Sequence, residues 1–195
     1  MTRRRTVWAW TLLTLTMAAA AMAAQLGQKA PDFTLKDQDG RDVGLAALRG
    51  KIVVLEWTNP DCPFVQRHYR AKTMTTLAER FRDRDVVWLA VNSTHDMDAE
   101  RDRAWRDQQG FPYAILDDHA GTVGRAYGAK TTPNLFIIDR DGRLAYQGAI
   151  DDDAAGEKGA GARNYVAEAL ADLTAGKPVR LSETKPYGCS VKYGS

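Results

Sequence analysis

From Ala30 to Ala175, short runs of β-branched and apolar residues alternate with segments of helical periodicity, and this alternation constrains the fold most. Lys51–Trp57 and Val86–Val91 read as strands buried on both faces, and Tyr113–Leu116 as a third strand. Between them, Phe64–Arg82 carries Met74, Leu77, Ala78 and Phe81 at helical spacing and is predicted as a single helix. Asp98–Gln109 is predicted as a charged helix and Ala120–Tyr127 as a short one. Asn134–Asp139 and Arg143–Tyr146 flank an Arg140-Asp141-Gly142 turn and predict an antiparallel hairpin. A shorter hairpin is expected at Ala30–Leu35 and Arg41–Val43. A flexible loop is expected over Gly156–Gly161. Tyr165–Ala175 closes the pattern as a helix burying Val166, Ala169, Leu170 and Leu173. Alternating βαβα units followed by a hairpin and a helix predict an α/β fold, a mixed central sheet with helices on both faces. No repeat or second domain is expected.

The start of the chain reads differently. Arg3-Arg4-Arg5 precedes an uncharged run, Val7–Ala24, that ends in small residues. That pattern predicts a secretory signal over residues 1–24, cleaved near Ala23 or Ala24, with an exported, periplasmic or secreted product. An uncleaved anchor stays open as the alternative, although the run falls short of the ~20 residues of a spanning helix. No stable membrane anchor is expected after cleavage. Loss of the leader removes three arginines and no acid, taking the formal charge from +2 to −1. A near-neutral mature chain has no electrostatic case for nucleic acid.

Two cysteines are present, Cys62 and Cys189. Asp61-Cys62-Pro63-Phe64-Val65 lies where a predicted strand gives way to a helix, and proline is favoured in a first helical turn. Cys62 is thereby expected at the N-cap, where unpaired amides and the helix dipole stabilise a thiolate. The alternative is an inert buried thiol. Cys189 lies in a tail, residues 177–195, whose Tyr187-Gly188-Cys189-Ser190-Val191-Lys192-Tyr193 ending is too aromatic for a free terminus. The tail is expected to dock at the Cys62 edge and to present Cys189 as a resolving thiol. A permanent structural bridge between the same residues stays open. His68 is expected to point away from Cys62, His95 to border the same edge as a solvent-exposed loop residue, and His119 to have no role. Asp151-Asp152-Asp153 is read as a solvated turn. No His and Cys pair has metal-ligand spacing, so neither metal nor cofactor is expected.

Over Leu26–Gly176 the chain resembles the thioredoxin superfamily, and within it the peroxiredoxin-like redoxins of the alkyl hydroperoxide reductase/thiol-specific antioxidant type. The resemblance rests on Ala30-Pro31-Asp32-Phe33-Thr34-Leu35, on Trp57-Thr58-Asn59-Pro60-Asp61-Cys62-Pro63-Phe64-Val65, on Val91-Asn92-Ser93 with Trp105, and on Thr131-Thr132-Pro133 before Phe136-Ile137-Ile138-Asp139. It implies a thioredoxin-like fold over residues 25–176, with Cys62 as nucleophile and a cis peptide bond before Pro133. It also implies an external dithiol or thioredoxin-like electron donor and a peroxide or protein disulfide as substrate. Asn59, Pro63, Thr132 and Pro133 are the supporting residues. Two positions depart from the pattern. Val65 stands where a C-x-x-C motif has its second cysteine. Leu55 and Asn59 stand where peroxidases of this type carry a proline and a threonine or serine, so an amide replaces the hydroxyl that orients a peroxide. The alternative class is a non-catalytic binding module stapled by a Cys62–Cys189 disulfide. A third possibility is a one-cysteine thiol sensor or peroxidase in which Cys189 is idle.

Overall fold

The computed structural model describes residues 23–194. All but the last two positions of the leader expected over residues 1–24 lie outside the described residues. The elements run β1 (Thr34–Asp37), β2 (Asp42–Gly44), β3 (Ile52–Trp57), α1 (Pro63–Arg70), α2 (Thr73–Phe81), β4 (Val86–Asn92), α3 (Ala99–Gln109), β5 (Ile115–Asp117), α4 (Thr122–Tyr127), β6 (Thr131–Thr132), β7 (Asn134–Ile138), β8 (Leu144–Gly148), α5 (Tyr165–Thr174) and β9 (Cys189–Ser190). Seven strands form one mixed sheet in the order β2-β1-β5-β4-β3-β7-β8. β3 and β4 are parallel, as are β4 and β5, while β7 runs antiparallel to β3 and β8.

Every residue of β3 is buried, because the strand is flanked on both edges and covered on both faces. Its Ile52 and Val54 face a core filled by Val65, Tyr69, Met74, Phe81, Trp105 and Leu170 from α1, α2, α3 and α5. Val53, Leu55 and Trp57 face the opposite layer, where Val123 and Tyr127 of α4 pack. This is the predicted α/β architecture, and it is thioredoxin-like.

One expectation is corrected. Phe64–Arg82 is two helices, broken at Lys72, whose φ of 54° is left-handed. At about 100° per residue, Val65, His68 and Tyr69 lie on one face, whereas Met74, Leu77, Ala78 and Phe81 would lie roughly half a turn away. A continuous helix cannot bury both stripes against one sheet. The break restores the phase.

Period-2 alternation places Glu56 of β3 on the same side as Ile52 and Val54, and it is fully buried. Its carboxyl accepts from the Tyr69 hydroxyl and the Trp88 indole N–H, each at 2.9 Å. Burial pushes its pKa up from 4.5 to about 7 against the opposing hydrogen bonds of Trp88, Tyr69 and Tyr113. A raised folded-state pKa gives stability that is complete below the unfolded value and is lost as pH rises through the folded one. The loss therefore falls between 4.5 and about 7 and totals about 3 kcal/mol. Glu56→Gln should flatten that slope and raise the urea midpoint at about pH 8 more than at about pH 5. Parallel pH profiles for the two proteins would contradict this.

Candidate functional site

Asn59 sets up the turn that delivers Cys62. Its side-chain oxygen accepts from the Asp61 N–H at 2.8 Å, and its backbone carbonyl accepts from the Cys62 N–H at 3.1 Å. Cys62 is the N-cap of α1 with extended φ and ψ, and Pro63 takes the first helical position. Arg101 of α3 reaches Asp61 at 3.6 Å and ties the loop to its neighbour.

The peptide bond between Thr132 and Pro133 is cis. The Cys62 thiol donates to the Thr132 carbonyl oxygen at 2.9 Å. The Thr132 hydroxyl is buried and has no hydrogen-bond partner.

The tail completes the site. β9 pairs antiparallel with β6, setting Cys189 opposite Thr132 and Ser190 opposite Thr131. Because the Cys62 thiol is bonded to the same Thr132, this sets Cys189 beside Cys62. Both cysteines are free thiols, and Cys62 is 1 % exposed. Burial raises the Cys62 pKa. The Thr132 hydroxyl, the Cys189 thiol and the amides of Val65 and Cys189 outweigh it, so the net direction is downward. Burial and the facing Cys62 sulfur push Cys189 the other way, up to about 11. One sulfur is thereby set to ionise and the other to hold its proton.

Gly188 permits this approach. Its φ is +136°, and a Cβ there would fall 2.1 Å from the Thr132 carbonyl oxygen. On either side, aromatic residues anchor the tail. The Tyr193 hydroxyl donates to the Ala129 carbonyl oxygen at 2.9 Å. The Tyr187 hydroxyl donates to Asp151 and meets Nε2 of His68, the latter at 2.9 Å.

Several sequence expectations are overturned here. His68, expected to point away from Cys62 and given no role, is buried at 4 % exposure in the Tyr187 cluster, where it helps hold the tail. Burial lowers its pKa despite the charge of Asp151. Its place one residue before Tyr69 on the apolar stripe of α1 was a readable signal. Asp151-Asp152-Asp153 is not a solvated turn. Asp151 and Asp153 are buried, and Asp153 accepts from the N–H groups of Glu157, Lys158 and Gly159. The glycine-rich loop expected to be flexible is wrapped around that carboxylate. His119 also has a structural role. It stands 2.9 Å from Asp117 and 3.4 Å from Asp102. Burial lowers its pKa, but those carboxylates raise it overall. His95 is exposed, as expected, and its ring meets the Lys192 carbonyl oxygen at 3.1 Å, so it contacts the tail.

Among the described residues no group of three His, Cys, Asp or Glu side chains is placed to hold a metal ion. No helix among them is long and apolar enough to cross a membrane.

Residues 26–147, which include Cys62 but stop short of Cys189, match the model of the AhpC/TSA family. The chain belongs to that family. Thiol-disulfide oxidoreductase ResA of Geobacillus thermodenitrificans is 31 % identical over 123 residues, 63 % of this chain and 68 % of that protein. Chloroplastic peroxiredoxin Q of Suaeda salsa is 27 % identical over 62 % of this chain and 58 % of its own length. A hypothetical protein of Sinorhizobium meliloti 1021 superposes with a TM-score of 0.79 at 27 % identity, covering 89 % of this chain and 97 % of that one. As a member of the AhpC/TSA family the chain is a thioredoxin-like redoxin of the thiol-disulfide oxidoreductase and peroxiredoxin type.

Proposed function

We propose that this redoxin is an exported thiol–disulfide oxidoreductase in which Cys62 is the nucleophile and Cys189 the resolving thiol. The observation that carries the reading is the β6–β9 pairing, which sets Cys189 opposite the same Thr132 whose carbonyl oxygen accepts from the Cys62 thiol, with the pKa of Cys62 pushed down and that of Cys189 pushed up. The Cys62 thiolate attacks a substrate disulfide and expels one substrate sulfur as a thiolate. Cys189 then gives up its proton and attacks Cys62, expelling the second substrate sulfur. The substrate gains two electrons and the chain is left with a Cys62–Cys189 disulfide, which an external dithiol or thioredoxin-like donor reduces. Peroxide is a less apt substrate because Asn59 stands where peroxidases of this type carry the threonine or serine hydroxyl that orients a peroxide. Export rests on the leader pattern of residues 1–24.

A second reading is a binding module stapled by the same two cysteines, and it is favoured by the burial of Cys62. Non-reducing peptide mapping of the mature protein, followed by redox titration, separates the two. We expect a reversible Cys62–Cys189 bridge with a potential above about −300 mV, whereas a permanent staple lies below it. A Cys189 that stays free under mild oxidation would remove the resolving role.

A further inference from the structure

No residue from Leu181 to Gly194 is buried, yet the groups this stretch covers are. His68 and Asp151, 4 % and 6 % exposed, each direct one polar atom at the hydroxyl of half-buried Tyr187. Arg67 donates to that hydroxyl at 3.4 Å and lies 5.7 Å from the centres of both the Tyr187 and Phe64 rings. The result is a socket with an aromatic wall, a cationic side and a histidine–carboxylate floor. Nδ1 of His68 faces the Thr73 hydroxyl at 3.5 Å, and Asp151 also accepts from the Asp153 N–H at 3.0 Å. Nε2 of His68, however, has the Tyr187 hydroxyl as its partner, and a buried ring nitrogen is costly to leave unpaired, so the socket suits an aromatic hydroxyl. Two residues further on, Cys189 sits against Cys62 on the backbone edge of Thr131–Thr132. Tyrosine, glycine and cysteine are therefore read in one register: hydroxyl in the socket, no side chain against the Thr132 carbonyl, sulfur on Cys62.

We propose that this register is a recognition site for a partner polypeptide, and that the tail is its resident surrogate. The ligand is an extended segment of another protein carrying a tyrosine two residues before a cysteine, with glycine between. It pairs with Thr131–Thr132 in place of β9 and fills the socket of Arg67, His68 and Asp151. The proposal rests on the thiol-exchange reading above. In the oxidised chain, the partner thiolate attacks Cys62 and Cys189 leaves as a thiolate that takes up a proton, which frees the surface tail. A second partner thiolate then attacks the partner's own sulfur in the mixed disulfide and releases the Cys62 thiolate. The partner ends as a disulfide and the chain as a dithiol.

The test uses the full chain carrying Cys189→Ser and Tyr187→Ala, which leaves one thiol and an emptied socket. The probe is the peptide Lys-Pro-Tyr-Gly-Cys-Ser-Val-Lys activated as its 2-thiopyridyl disulfide. Capture by Cys62 releases pyridine-2-thione, which is followed by absorbance. The tyrosine peptide should be captured about tenfold or more faster than its alanine counterpart at the tyrosine position. Adding Asp151→Asn should shrink that preference to about twofold or less. Equal capture of the two peptides, alongside brisk capture of activated glutathione, would overturn the socket and leave the redox reading standing. Failure to capture any activated disulfide would overturn both. Size-exclusion chromatography of the unmodified chain adds one more outcome: a dimer that exchanges tails would make a second copy the occupant and overturn a foreign partner.

Discussion

Cys62→Ser should abolish dithiol-dependent reduction of a protein disulfide, lowering the rate by about a thousandfold or more. A hydroxyl at this N-cap stays protonated near neutral pH, so the amides of Val65 and Cys189 and the Thr132 hydroxyl have no anion to stabilise. The change is small in volume and leaves Pro63 and the Asn59 turn in place, so the melting temperature should move little. Cys189→Ser makes the complementary case. It keeps the nucleophile and should stop after one mixed disulfide per chain, seen by mass spectrometry as a stable adduct on Cys62. Wild-type turnover by Cys62→Ser would dismiss the assigned nucleophile, and turnover by Cys189→Ser would dismiss the resolver.

Gly188→Ala should uncover Cys62. The new Cβ would meet the Thr132 carbonyl oxygen at 2.1 Å, its carbon at 2.7 Å and the Pro133 nitrogen at 3.2 Å. All three are backbone atoms and cannot swing aside. The φ of +136° is also one that L side chains rarely adopt. β9 must therefore leave β6, which opens the edge that now buries Cys62. Iodoacetamide should then modify Cys62 about tenfold faster or more, and the yield of the Cys62–Cys189 disulfide should fall. Stability should drop by only about 1–2 kcal/mol, because the stretch from Leu181 to Gly194 contributes no buried residue. Unchanged alkylation would mean that the tail does not control access to the thiol.

Both predictions turn on residues that differ in how plainly the sequence announces them. Pro63 after Cys62, at the end of an apolar strand, is a local pattern with a local cause. The phase slip between Val65–Tyr69 and Met74–Phe81 is equally present in the sequence, and only the assumption of one helix hides it. The Asp153 cage is less legible, because nothing in three consecutive acids says that one will collect the amides of a later glycine-rich loop. The socket is the least legible. His68, Asp151 and Tyr187 lie far apart in the chain, and no periodicity links them.

By itself, the sequence determined the α/β layering, the placing of Cys62 at a helix start and the absence of a neighbouring second cysteine. These follow from side-chain periodicity and backbone preference, which act over a few residues. Only the tertiary structure decided that Cys189 is set beside Cys62 on the Thr132 edge, that the Thr132 carbonyl accepts from the Cys62 thiol, and that His68 and Asp151 hold the tail through Tyr187. Those contacts depend on which edge the last residues cross after α5. Strand pairing and the space left beside Gly188 settle that choice, and neither exists until the sheet has formed.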